Sequence, residues 1–147
     1  MLRVSRLTDY STVVMAYLAA RPDTAHKAKD IAQNTHVALP TVSKLLKLLA
    51  RAGLLAAQRG MNGGYSLARP AHDITLAQII HAMEGNIALT DCGHHQQGAC
   101  TMESLCAIRN NWRTINGVIQ ETLQNISLAD MTRPMKFYDT RRFKHVN

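Results

Sequence analysis

The stretch Val37-Ala38-Leu39-Pro40-Thr41-Val42-Ser43-Lys44-Leu45-Leu46-Lys47-Leu48-Leu49-Ala50-Arg51-Ala52-Gly53 decides the fold. Pro40 suits the first position of a helix, where its missing N–H is not needed and its fixed φ is already helical. Val42, Leu45, Leu46 and Leu49 then recur at i, i+3, i+4 and i+7, which gives one apolar helical face. Thr41, Ser43, Lys44, Lys47 and Arg51 occupy the other side. Gly53 supplies the left-handed residue that ends such a helix.

Upstream, a short helix is predicted from Ala25 to Gln33, followed by the turn His36-Val37-Ala38-Leu39. A first helix should run from Thr8 to about Ala20, with Thr8 or Asp9 near its N-cap and Arg21-Pro22 as its stop. Downstream, Leu54–Arg59 and Tyr65–Ala68 read as strands joined by Gly60-Met61-Asn62-Gly63-Gly64. An Asn-Gly pair among further glycines is a strong hairpin signal. Helix, turn, helix and a hairpin carrying a basic residue make a winged helix-turn-helix.

That layout has a chemistry. A helix entering the major groove needs small polar side chains for base edges and long cations for phosphates. Thr41, Ser43 and Lys44 are placed for the first task, Lys47 and Arg51 for the second. Arg59, beside the hairpin glycines, suits a narrow minor groove. Double-stranded DNA is therefore the expected partner. The charge agrees in its distribution: residues 1–70 hold ten Lys/Arg against three acids, whereas residues 71–133 hold three against six. Of 147 residues, the last fourteen add four basic and one acidic side chain, for a formal net +7. A basic half joined to an acidic half fits a DNA reader with a separate sensing or pairing module.

Beyond Pro70, Thr75-Leu76-Ala77-Gln78 is a capping box opening a helix through Met83, with Gly85 after it. A long helix is predicted from Thr101 to about Leu123. Leu105, Ile108, Trp112, Ile115 and Ile119 fall along it at spacings of 3, 4, 3 and 4, a coiled-coil seam. Twofold DNA readers need a dimer, so a homodimer is expected through this helix. Ser127-Leu128-Ala129-Asp130-Met131 closes the fold, and residues 132–147 form a basic tail without periodicity, expected to be flexible.

Between the two helices lie all three cysteines, Cys92, Cys100 and Cys106. An odd number cannot close into internal disulfides alone, and no signal sequence points to an oxidising compartment. The longest apolar run, Val13 to Ala20, is too short to cross a bilayer. The protein is read as cytoplasmic, without a membrane partner. Soft thiolates on a Gly-containing loop suit zinc, copper(I) or an iron–sulfur cluster. The spacing C-x7-C-x5-C lacks the close pairs of most zinc sites, although His94 or His95 could complete a Cys3His set. Redox-reactive thiols without a metal are the other reading. No Gly-rich phosphate loop or nucleophile–base motif is present, so neither an enzyme nor a small-molecule substrate is expected.

Taken together, several segments resemble the IscR/NsrR family of winged-helix regulators, bacterial transcription factors that carry an iron–sulfur cluster. They are Arg6-Leu7-Thr8-Asp9-Tyr10, Val37 to Leu46, Arg59-Gly60-Met61-Asn62-Gly63-Gly64-Tyr65, Ile74-Thr75-Leu76, Met83-Glu84-Gly85 and the three cysteines. The resemblance covers roughly residues 1–132. It implies a homodimer with one cluster per subunit, 2Fe–2S or 4Fe–4S, and promoter binding tuned by cluster occupancy. Cys92, Cys100 and Cys106 carry over as metal ligands. The IscR branch has a histidine three residues after the third cysteine; here that residue is Arg109, which cannot ligate. NsrR-like members use an aspartate near the start of the first helix, supplied by the other subunit, and Asp9 matches it. A plain helix-start acid is the alternative reading of Asp9, and His94 and His95 compete as donors.

The Leu-Thr-Asp-Tyr opening and the reading helix look most like regulators of SUF-type cluster assembly, which implies a repressor of iron–sulfur assembly genes. Ser43 stands where the IscR branch has glutamate, so a different target sequence is implied. An NsrR-like nitric-oxide-sensing repressor, or a thiol-redox or zinc-dependent regulator, is the runner-up. The expected protein is mostly α with a small β-wing, a winged helix-turn-helix domain plus a long dimerisation helix. Residues 1–84 form the DNA-binding domain (helix-turn-helix about 25–52, wing 54–68), 85–106 the cysteine loop and 101–131 the dimerisation helix and closing turn.

Overall fold

The first helix begins earlier than its sequence suggests, because Ser5 takes the capping role. Its backbone is extended and its hydroxyl accepts from the Thr8 N–H, so α1 runs Arg6–Ala19. Asp9 thus lies in the first turn rather than at the cap. This computed structural model describes residues 3–90, 100 and 105–134. Cys92, His94, His95, residues 101–104 and the tail from residue 135 lie outside the described residues.

The second helix, α2, spans Ala28–Thr35, three residues later than its predicted start. Residues 25–27 are drawn into extended pairing instead. The His26 N–H donates to the Tyr65 carbonyl at 2.9 Å, and the Tyr65 N–H returns a bond to the His26 carbonyl at 2.8 Å. His36, left-handed at φ 57°, ends α2 and starts the turn into α3, Leu39–Arg51. Pro40 stands second in α3, not first, a position whose N–H also has no intrahelical acceptor. Val42, Leu45, Leu46 and Leu49 are fully buried, as their spacing requires. Gly53 follows at φ 73°.

Strands β1 (Leu55–Gln58) and β2 (Gly64–Leu67) pair antiparallel, Leu55 opposite Leu67 and Gln58 opposite Gly64. β1 is one residue shorter at each end than predicted, and β2 keeps its predicted length but begins and ends one residue earlier. The capping box at α4 (Leu76–Glu84) is complete: the Thr75 hydroxyl accepts from the Gln78 N–H, and the Gln78 side chain accepts from the Thr75 N–H.

Helix α5, Arg109–Gln124, starts well after Thr101. Leu105 is 83% exposed, so the apolar spacing that extended the prediction backward buries nothing there. Cys106 consequently precedes the helix, its carbonyl accepting from the Arg109 N–H, instead of lying in its second turn. Helix α6, Leu128–Met131, carries a second capping box between Ser127 and Asp130.

One hydrophobic cluster holds these elements. Met15 and Leu18 of α1, Ile31 of α2, the four apolar residues of α3, and Ile79 of α4 meet in it with Ile74 and Leu128. Leu128 is delivered by a short bridge in which the Leu128 N–H donates to the Ile74 carbonyl (2.7 Å) and the Leu76 N–H to the Ile126 carbonyl (2.8 Å). The closing turn is therefore part of the core behind the reading helix.

Candidate nucleic-acid interface and cysteine site

Burying one side of α3 leaves its other side to solvent. Lys44, Lys47 and Arg51 are exposed there, with Thr41 and Ser43 half-buried at its flanks. Arg59 is exposed at the end of β1. None of these four cations forms an ion pair with a described residue. Four uncommitted charges on one helix face and an adjoining hairpin make a surface matched to phosphates. The hairpin is held as well as attached: His26 pairs with Tyr65, and its ring meets Tyr17 edge-on at 5.3 Å. Arg21 lies over the same Tyr17 ring at 4.2 Å. The linker between α1 and α2 thus fixes where the wing points.

A second group of residues links the start of α1 to the end of α4. Glu84 is the last residue of α4, where the helix dipole disfavours an acid. Its Oε1 instead accepts from the Thr8 hydroxyl and from the Ser5 N–H (2.8 Å), at the positive end of α1. These bonds, the one from Thr8 first, hold its carboxyl below the usual glutamate range. The sequence carries a signal for this contact, an acid at a disfavoured helix end.

The cysteine region is tied to α5 in a similar way. Asn116, buried in the middle of α5, accepts from the Leu89 N–H through Oδ1 (2.9 Å), and Gln120 Nε2 donates to the Ile87 carbonyl (2.8 Å). Two amides on α5 thereby grip the first residues of the cysteine loop, ahead of Cys92. At the loop's other end, Cys100 and Cys106 are free, half-buried thiols, and Cys106 lies three residues before α5. Arg109 is the first residue of that helix, and its guanidinium has no lone pair for a metal. Asp9 is exposed, and its carboxylate makes no hydrogen bond to a described residue. Among the described residues no three His, Cys, Asp or Glu side chains converge, so Asp9 does not join Cys100 and Cys106 of its own chain. Along the outer side of α5, Ile108 (54%) and Ile115 (42%) are exposed, and Val118 with them. No described helix is long and apolar enough to cross a membrane.

A sequence profile of Rrf2, described as an iron-dependent transcriptional regulator, matches residues 4–134. The chain belongs to the Rrf2 family. Its relatives include the regulator NsrR of Halalkalibacterium halodurans, 27% identical over 123 residues, which are 83% of this chain and 80% of that protein. Among solved structures, CymR, the global cysteine regulator of B. subtilis, is 28% identical with a TM-score of 0.71, covering 90% of this chain and 97% of that one. The IscR of T. potens is 27% identical with a TM-score of 0.69, covering 97% and 96%. This Rrf2 protein is a winged-helix transcriptional regulator, mostly helical with a two-stranded sheet, and not an enzyme.

Proposed function

We propose that this Rrf2 protein is a homodimeric repressor of iron–sulfur cluster assembly genes that responds to gain or loss of an iron–sulfur cluster. The observation that carries the reading is the pairing of two features on one frame: the uncommitted cationic face of α3, and free thiols in the segment leading into α5. In the DNA complex Thr41, Ser43 and Lys44 approach base edges, Lys47 and Arg51 neutralise phosphates, and Arg59 enters the minor groove. Residues 1–84 act as the reading domain, 85–106 as the sensing loop, 101–131 as the pairing segment and 132–147 as a tail.

The donor set fits the cluster. Cys100 and Cys106 are unbridged, and thiolates are the usual protein ligands of such centres. Cys92, Cys100 and Cys106 would hold it, with Asp9 of the partner subunit as fourth donor in place of the non-ligating Arg109. The cluster supplies an oxidant-sensitive inorganic centre whose loss leaves three free thiols. Pairing through α5 would cover Ile108, Ile115 and Val118, which one chain leaves in water. The amides of Asn116 and Gln120 then connect the sensing loop to the pairing helix. The site lies in the cytoplasm, where thiols stay reduced.

Anaerobic purification from iron-replete cells tests this reading. Brown protein with stoichiometric iron and sulfide is expected, and its absorption spectrum should change in Asp9→Ala. Colourless, iron-free protein would leave a thiol-redox or zinc-dependent regulator as the better description. A cluster that reacts with nitric oxide but leaves assembly-gene promoters unbound would favour the NsrR-like role instead.

A further inference from the structure

We infer that Met61 is an apolar wedge which the wing presents to the minor groove of double-stranded DNA, selecting base steps that unstack easily. The inference rests on the DNA-reading assignment above and adds a specificity determinant that the cations do not supply.

Met61 is 90% exposed, more than any other large apolar side chain among the described residues. It sits at the tip of a turn in which the Gly63 N–H closes onto the Gly60 carbonyl at 3.0 Å. The turn is built on glycines whose positions a side chain could not share. Gly60 is at φ 104°, and a Cβ on Gly63 would lie 2.4 Å from the Gln58 carbonyl oxygen. At the next residue, Gly64, a Cβ would meet the His26 carbonyl oxygen at 2.5 Å, so the hairpin packs closely against the extended segment at His26. A long, unbranched, polarisable side chain thus stands in water at the tip of a hairpin braced by the His26–Tyr65 pairing.

Its neighbours match a minor groove. Arg59 and Asn62 flank it and are both exposed. An arginine is drawn by the groove's negative potential, and an amide can bond the N3 and O2 acceptors on its floor. The reach is also sufficient. Four residues of β1 extend about 13 Å, and the turn adds more, against about 17 Å for the half helical turn separating a major groove from the next minor groove. Apolar side chains inserted between base steps unstack them and kink the duplex, which is least costly at TA and CA/TG steps. Met61 would convert that difference in deformability into sequence preference without a hydrogen bond.

The test begins with full-length protein selecting duplexes from a random-sequence library. Affinity is then measured on the selected duplex and on one whose step beneath the wing is changed from TA or CA to AA. Wild type should prefer the flexible step by about tenfold, the scale of one altered base pair. In Met61→Ala the preference should shrink to about twofold with affinity for the stiff duplex nearly unchanged, and Met61→Leu should retain most of it. Energy-transfer bend angles should fall in Met61→Ala alone. Met61→Ala keeping the full step preference would overturn the inference while leaving DNA reading intact. Failure of the wild type to enrich any sequence would instead overturn the DNA-reading assignment, and the wedge with it.

Discussion

The Thr8 hydroxyl donates a hydrogen bond to Oε1 of Glu84, 76 residues further along the chain. The same carboxylate oxygen takes the Ser5 N–H, so the acid that ends α4 caps the start of α1. Asp9 follows Thr8, and Gly85 and the cysteine segment follow Glu84. Two stretches far apart in sequence, each bordering a proposed cluster ligand region, are thereby held to one another.

This contact has a pH dependence with a definite sign. Hydrogen bonds from Thr8 and Ser5 lower the Glu84 pKa below its unfolded value. Its contribution is then fully present above the ordinary glutamate pKa, about 4.3, and is lost as pH falls through the lowered folded value. Glu84→Gln should reduce stability at pH 7 and lose less on acidification than wild type. Urea melts at neutral and acidic pH would show the two curves converging; parallel curves would remove Glu84 from the account.

Charge and base reading should separate on the reading helix. Lys47→Ala is expected to weaken binding to all duplexes alike and to reduce the salt slope by about one. Ser43→Ala should leave that slope in place and relax base preference. Anisotropy titrations across a salt series, on matched and mismatched duplexes, distinguish the two effects.

Leu128 fills the core behind α3 although it lies near the end of the folded chain. Leu128→Ala should cost about 2–5 kcal/mol, the range for a deleted core leucine. Because the core is continuous, calorimetry should show one transition shifted to lower temperature. A separate early transition that left the reading domain unmelted would contradict that continuity.

Asn116 is the buried acceptor for the Leu89 N–H. Asn116→Ala should leave that donor unpaired, at a cost of about 1–3 kcal/mol. Faster hydrogen exchange at the Leu89 amide is the local signature. In the cluster-loaded protein, iron release to a chelator should quicken as well; an unchanged release rate would mean the grip does not bear on the sensing loop.

Much of this architecture was legible in the sequence because it is set locally. The buried stripe of α3, the capping box at Thr75 and the Gly-rich hairpin each depend on residues within a few positions of one another. Errors arose where a distant partner decided the outcome. Residues 25–27 were expected to be helical, but Tyr65 pairs with His26 and holds them extended. Thr8 has a good capping side chain, yet Glu84 claims its hydroxyl and Ser5 takes the cap. The early start predicted for α5 relied on Leu105, whose periodicity has nothing to pack against within one chain. The cationic face of α3 was readable from its spacing, whereas the amide grip of Asn116 and Gln120 has no local signature.

The bridge that carries Leu128 into the core also anchors the C-terminal end of α5. Its C-terminal side is anchored through Ile126 and Leu128, while Leu105 and Ile108 near Cys106 stand in solvent. Sixteen residues of helix form an arm about 24 Å long. A tilt of about 5° about the anchored end carries the cysteine end some 2 Å, roughly the length of a hydrogen bond's proton-to-acceptor separation. Displacement about that anchor is thus largest at the cysteine end, with the core that holds Leu128 as the pivot.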